Sequence, residues 1–517
     1  MGCGTPPQAG AISRRMGARV FRTFYEVFVT MAGFYLFLSI VSVLCTWSAI
    51  VQARRLYWGV PFYFLAAWLA GELAFIHILW QVGLTAFLAF TGLFDSSTAQ
   101  TGLGLFALSW LGLAYLHCQA MDTPLHLRDA LRAGLGEHFR AAIPEERHGT
   151  LSDHIASRSW LRPFHFRRPG VMEHRGIAYG EAGIRNHLDI YQPETPREGG
   201  FPVLLQVHGG AWIIGEKEQQ GKPLMYHMAQ RGWIAVAINY RLSPRSAFPA
   251  HIIDVKKAIA WIRQNIAEYG GNPDFIAITG GSAGGHLSSL AALTPNRTEW
   301  QPGFEEVDTT VQAAVPFYGV YDFLDRNNIR PEMSMEGLLG DRVIQSPKGQ
   351  SRELWDQGSP ISHVSADAPP MFVIHGTHDS LVWVEEARAF VDALRAESRQ
   401  AVVYAELPGA QHAFEIFHSV RTDHKVNGVT KFLEWAHGAW LAEQAPAKAT
   451  RKARAPAKAT TKAPAKTRAK AKAKAKTPAK AKERAKRKAP AKARAKAPAG
   501  AKSDANTATK SETEADA

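Results

Sequence analysis

The chain has 517 residues, too many for one ordinary domain, and its 60 Lys and Arg against 46 Asp and Glu give a formal charge of +14. Residues 445–517 hold 23 of those cations and 5 acidic groups, a balance of +18, so the remaining 444 residues carry −4 and only the tail is a candidate partner for polyanions. The three cysteines, Cys3, Cys45 and Cys118, lie in the first quarter, which excludes a disulfide framework or a Cys-based zinc site from everything downstream.

Met1-Gly2-Cys3 begins like a lipidation signal, but Pro6 stands where the myristoylation pattern requires Ser or Thr. Residues 27–53 contain no charged side chain, which at about 1.5 Å per residue is ample to cross a hydrocarbon core of about 30 Å. This stretch is too long and too far from the start for an ordinary signal peptide. A second apolar stretch runs from Leu56 to Phe94, interrupted only by Glu72 and His77, and a third covers Thr101 to Ala120 with His117 inside it. Three membrane spans are expected in a helical region over 1–120. Two or four are the alternatives, because the middle stretch can fold back near Gly71-Glu72. Orientation does not follow, since Arg14, Arg15, Arg19 and Arg22 on one side balance Arg54, Arg55, Arg128 and Arg132 on the other.

Residues 121–170 are polar, rich in Arg and His, and read as a linker with some helix. From about Val171 short apolar runs alternate with amphipathic stretches. The runs are Pro202–Val207, Trp233–Ile238, Phe275–Thr279, Gln312–Phe317, Met371–His375 and Val402–Leu407. Ile252, Val255, Ile259, Ile262 and Ile266 recur at helical spacing, and Gly270-Gly271 ends that helix. Strands alternating with helices predict an α/β domain over 171–444 with a mostly parallel sheet covered on both faces. Because this sheet lies wholly downstream of residue 120, a fragment lacking 1–120 is expected to be released from membranes and active. The tail, 445–517, is mainly Ala, Lys, Arg, Pro and Thr. Prolines 456, 464, 478, 490 and 498 cut every helix-prone stretch, and a disordered tail is expected.

The chemistry gathers at strand ends. Gly280-Gly281-Ser282-Ala283-Gly284 follows the strand Phe275–Thr279 and precedes the helix-like run His286–Leu293, the setting in which a G-x-S-x-G turn presents a nucleophilic serine. The strand Pro202–Val207 ends in His208-Gly209-Gly210-Ala211-Trp212, where two glycines let backbone N–H groups point inward. Gly209, Gly210 and Ala283 are the candidate oxyanion donors. Asp379 follows the strand Met371–His375, and His412 follows Val402–Leu407, in the order Ser, Asp, His that this arrangement requires. Asp322 is a second candidate acid, and His418 and His424 are alternative bases. His286, His375 and His378 are expected in supporting roles. The constellation calls for no metal or cofactor.

His208 to Trp212, Asn239-Tyr240-Arg241-Leu242, the Ser282 turn through His286 and the loops at Asp379 and His412 resemble the carboxylesterase and hormone-sensitive-lipase-like branch of α/β-hydrolases. The resemblance covers roughly 171–440. It implies the α/β-hydrolase fold, with Ser282 as nucleophile, Asp379 as acid, His412 as base and an ester, small or lipidic, as substrate. Gly281 departs from the acidic residue usual in that branch, and Ala211 from its third glycine. The His-Gly-Gly-x-Trp form is also similar to that of arylformamidases, so amide cleavage is an alternative. Acyl transfer to a membrane-resident alcohol is another, and an inactive scaffold a third. The membrane part joined to this hydrolase resembles predicted membrane-bound esterases of high-GC bacteria. The tail resembles the Lys-Ala-Pro tails of linker histones and bacterial histone-like proteins, which implies non-specific binding to DNA, anionic lipid or acidic glycan.

Overall fold

The computed structural model describes residues 9–454 except 53–59, 156, 198 and 331–334. Arg54 and Arg55, and nearly all of the basic tail, lie outside the described residues. The apolar first quarter forms helices α1 (Ala9–Ile50), α2 (Val60–Glu72), α3 (Ala74–Ala89) and α4 (Ser97–Met121). Val29–Ile50 and Ser97–Leu135 are each long and apolar enough to cross a membrane. Pro61–Glu72 and Ala74–Ala89 pass the same test only as a pair, bent by 84°. The bend falls where Glu72 interrupts the apolar run, so the described residues hold two such helices, or three if the bent pair is one span. Small residues let the helices approach. Ala49, Ala67, Ala70 and Ala74 are buried among them, and Thr46 and Ser109 hydrogen-bond across α1 and α4 at 3.0 Å. Their outward faces carry large apolar side chains, Phe90 at 92% exposure among them.

The expected linker is part of the catalytic body. Helix α5 (Thr123–Leu135) buries Leu127 and Leu131 in the same core as Phe432 and Leu433, and Phe139 and Ile143 follow them. Arg147 donates from Nε to Glu434 at 2.9 Å, and Trp233 donates to the same carboxylate. Some helix was expected here; what the polar, Arg-rich composition hid is its apolar face, two buried leucines one turn apart.

After α6 (Ser157–Leu161) the sheet begins. Its strands are β1 (Val171–Ala178), β2 (His187–Pro193), β3 (Phe201–Val207), β4 (Ile234–Ile238), β5 (Gly271–Gly281), β6 (Ala313–Phe317), β7 (Met371–Gly376) and β8 (Val402–Leu407). The spatial order is β1-β2-β4-β3-β5-β6-β7-β8, with β2 antiparallel to both of its neighbours and every other pairing parallel. Intervening helices are α7 (Lys222–Gln230), α8 (Ala250–Asn265), α9 (Ala283–Leu293), α10 (Glu336–Leu338), α11 (Arg352–Gln357), α12 (Val384–Glu397) and α13 (Val420–Arg454). Alternate residues of one strand feed opposite cores: Val203 and Leu205 join the face covered by α8, α9 and α12, while Leu204 joins that covered by α5, α7 and α13. All five isoleucine and valine positions of the expected amphipathic helix are buried, and Gly270 ends the segment at φ 79. Helix α13 continues past the expected boundary at 444 to Arg454.

Candidate active site

Four parallel strands end on one side of the sheet, and each delivers part of the site, as open α/β sheets do. Strand β5 turns directly into α9 at Ser282, which is held at φ 58, ψ −123, a conformation L-residues rarely adopt. The turn is possible only with glycine beside it. A side chain at Gly280 or Gly284 would collide with the Val207 carbonyl, and one at Gly281 would strike the Tyr318 ring. Tyr318 therefore occupies the space into which an acidic side chain at position 281 would project.

Asp379 and His412 meet. His412 Nδ1 lies 2.7 Å from Asp379 Oδ2, and both are buried. The other carboxylate oxygen accepts from the N–H groups of Leu381 at 2.9 Å and Val382 at 2.8 Å, so Asp379 cannot rotate away. His375 Nε2 stands 3.2 Å from the same oxygen that faces His412. Burial works to raise the Asp379 carboxyl, but the charge and hydrogen bond of His412, with His375 behind it, outweigh it and hold the group well below the usual carboxylate range. The two loops are also tied by Gln411, whose side-chain oxygen accepts from Ser380 N at 2.7 Å and His412 N at 2.9 Å.

Ser282 is connected to this pair through Tyr318. Among the hydrogen bonds of the described residues none links its hydroxyl to His412, as is common before substrate binds. Tyr318 bridges the two, its ring centroid 4.5 Å from that of His412 and its hydroxyl against Gly281. The Tyr318 hydroxyl donates to buried Glu415; burial first, then that carboxylate, keep it protonated far above neutral pH.

The oxyanion turn corrects one expectation. The Gly209 N–H donates to Gln220 Oε1 at 2.6 Å, because the chain folds back after Trp212 and sets Gln220 against the turn. Gly210, at φ 118, and Ala283, at the start of α9, have no internal acceptor for their N–H groups among the described residues. His208 supports the turn through its ring. Its Nδ1 is 2.8 Å from the Gly209 carbonyl, it stacks on Tyr240 at 4.3 Å, and burial pushes its imidazole down to about 4.

The rival residues point elsewhere. Asp322 binds Arg326 through Oδ1 at 2.6 Å, and His418 pairs with Asp423 at 2.6 Å. His424 is flanked by Asp423 and Asp153, away from Asp379. His286 accepts from Trp212 Nε1 at 3.2 Å and stacks on Phe323, and His378 faces the Ala49 carbonyl at 3.2 Å. Gln220, Gln411 and Glu415 were invisible in the sequence, since each stands in a loop with no pattern to mark it. Tyr318 alone had a positional signal, as the first residue past a core strand.

Residues 188–394 match the BD-FAE family. The chain is 48% identical over 357 residues to the probable carboxylic ester hydrolase LipM of Mycobacterium tuberculosis, covering 66% of this chain and 80% of that protein. It is 44% identical over 352 residues to esterase LipQ of the same organism, covering 67% of this chain and 81% of that one. Among solved structures it is similar to the butyrate-bound esterase Est2 of Thermogutta terrifontis, at 26% identity and a TM-score of 0.43, covering 54% of this chain and 95% of the other.

Proposed function

The chain belongs to the carboxylic ester hydrolases of the α/β-hydrolase fold that include LipM and LipQ, and we propose that it cleaves its ester through an acyl intermediate on Ser282. The 2.7 Å contact between His412 and Asp379, at the ends of adjacent strands β8 and β7, carries this reading. His412 takes the Ser282 proton at Nε2 as the serine oxygen bonds to the ester carbonyl carbon. Its Nδ1–H donates to Asp379, which fixes the tautomer and stabilises the imidazolium that forms. The carbonyl oxygen gains negative charge where the Gly210 and Ala283 N–H groups converge, each such donor contributing about 3 kcal/mol in the transition state. Collapse breaks the bond to the alcohol oxygen, which leaves with the histidine proton. Water then attacks the acyl-serine by the same route in reverse and releases the acid.

Residues 27–120 are proposed to anchor the enzyme as a multi-pass membrane segment, supported by Val29–Ile50, Ser97–Leu135 and the bent pair between them. The tail is proposed to bind polyanions, supported by its 23 cationic side chains. The esterase reading is tested with a fluorophosphonate probe on the full chain. Labelling is expected at Ser282, and Ser282→Ala is expected to lose both labelling and ester turnover. Labelling at another serine, or turnover retained by the variant, overturns the assignment.

A further inference from the structure

The sheet does not supply every wall of this site. Phe64 and Trp68, one turn apart on α2, both face the loop after β8. The Phe64 ring meets the His412 imidazole edge-on with centroids 6.3 Å apart, and it stacks on Trp68 at 5.6 Å. Trp68 in turn lies 5.0 Å from Phe417. The end of α1 reaches the same place, where the Ala49 carbonyl faces His378, the neighbour of Asp379. Both members of the acid–base pair thus sit where the apolar helices end against the hydrolase. Those helices expose Phe37, Leu44, Trp47, Phe62 and Leu111, a surface suited to hydrocarbon and not to water.

We propose that Phe64 is a specificity-determining residue, forming the wall against which the hydrocarbon chain of a membrane-resident ester lies while its carbonyl reaches Ser282. The proposal rests on the esterase reading above and assigns its substrate class: amphiphilic esters with a long chain, entering from the side of the apolar helices. An ester group in such a molecule lies at the boundary between hydrocarbon and water, which is where α1 and α2 hold the catalytic loops. The chain is the part that needs an apolar wall, since each buried methylene contributes about fourfold in binding. Phe64 is the apolar ring of α2 set against His412. Leu65 and Leu69 of the same helix border an apolar cavity of about 260 Å³ shared with Leu38, Val41 and Leu113, which gives hydrocarbon room beside α2.

The test uses the full chain in detergent micelles and compares kcat/KM for the p-nitrophenyl esters of dodecanoate and butyrate. Phe64→Ala is expected to lower the dodecanoate-to-butyrate ratio about tenfold or more. Phe62→Ala, on the same helix at 81% exposure, is expected to leave the ratio within about twofold of wild type. A Phe64→Ala ratio equal to wild type, or an equal fall in Phe62→Ala, overturns the proposal. If Phe64→Ala does not fold, Phe64→Leu is judged by the same ratio, with a fall expected and an unchanged value overturning it. Fluorophosphonate labelling is read in every preparation. Wild type unlabelled at Ser282 strikes the esterase reading, whereas normal labelling with an unmoved ratio strikes only the role of Phe64.

Discussion

Trp68 donates its indole N–H to the carbonyl of Ala413 at 3.0 Å, and Ala413 directly follows His412. An apolar helix far upstream in sequence therefore holds the loop that carries the candidate base. Trp68→Phe keeps a ring against Phe417 but deletes the donor, leaving the half-buried Ala413 carbonyl with only the long 3.4 Å bond from the Ile416 N–H. It is expected to slow hydrolysis of a short-chain ester about threefold to tenfold. Removal of residues 1–120 deletes Trp68, Phe64 and the Gln119 side chain that packs on Gly409. The released fragment is accordingly expected to be slower than Trp68→Phe, which revises the expectation, drawn from the position of the sheet alone, that it keeps its activity. Steady-state rates of the two proteins on butyrate ester decide the matter, and a truncated enzyme as fast as the full chain refutes the dependence.

Asp379→Asn is expected to reduce turnover on the order of a thousandfold or more, because an amide presents the histidine with the wrong partner for its tautomer. Asp322→Asn is expected to cost far less, since its carboxylate serves Arg326 and the backbone of Leu324. Measured kcat values in the reverse order move the acid to the loop after β6.

Six of the eight strands were legible because each is a largely apolar run, five of them buried on both faces and the last, Val402–Leu407, half-exposed only at Tyr404 and Glu406. Strands β1 and β2 were not, because His174, Arg175 and His187 break any apolar run at this antiparallel edge of the sheet. The strand-end positions of Ser282, Asp379 and His412 were legible because the loops that carry them follow core strands at predictable points. Some helix was expected in 121–170, but the apolar face of Leu127 and Leu131 was hidden among its arginines, and the 84° bend of the middle apolar stretch falls beside Gly71-Glu72, where a fold-back was one alternative. What sequence could not reveal was proximity across the chain. Nothing in the spacing of Phe64 or Gln220 says that one meets His412 and the other takes the Gly209 N–H.

Acid is expected to unfold the enzyme through buried histidines. Burial pushes His208 from an ordinary 6.5 down to about 4. Between those values the unfolded chain binds a proton that the folded chain refuses, so stability is complete above about 6.5 and declines as pH falls toward 4. One such site contributes at most about 3 kcal/mol to the loss. His208→Gln is expected to flatten the dependence of the urea midpoint on pH across this window. An unchanged slope rules out His208 as a contributor.

The tail prediction follows from charge and chain flexibility. Its 23 cations, spaced by alanine and proline, offer no geometry for reading bases, so binding to duplex DNA is expected to be sequence-independent and to collapse between about 50 and 200 mM salt. Heparin and anionic vesicles are expected to compete, and a 1–444 chain to lose the binding while keeping its esterase rate. A sequence preference that survives the higher salt refutes the polycation reading.

Glu72 and Arg421 form the other fastening between the apolar helices and the hydrolase. Both are almost fully buried and paired. Ser419 also donates to Glu72 at 2.8 Å, and Arg421 reaches the Pro408 carbonyl at 3.1 Å at the start of the His412 loop. A carboxylate at the bend of two apolar helices has no inexpensive alternative to this partner, since both side chains are almost fully buried. Glu72→Ala leaves the guanidinium buried and uncompensated and is expected to destabilise the fold by about 3–5 kcal/mol. Replacing both residues by methionine removes the two charges together, and much of that loss is expected to return. Thermal unfolding of the single and double variants in detergent measures the difference. A double variant no more stable than Glu72→Ala shows that packing at the bend, and not the ion pair, fastens the helices to the catalytic loop.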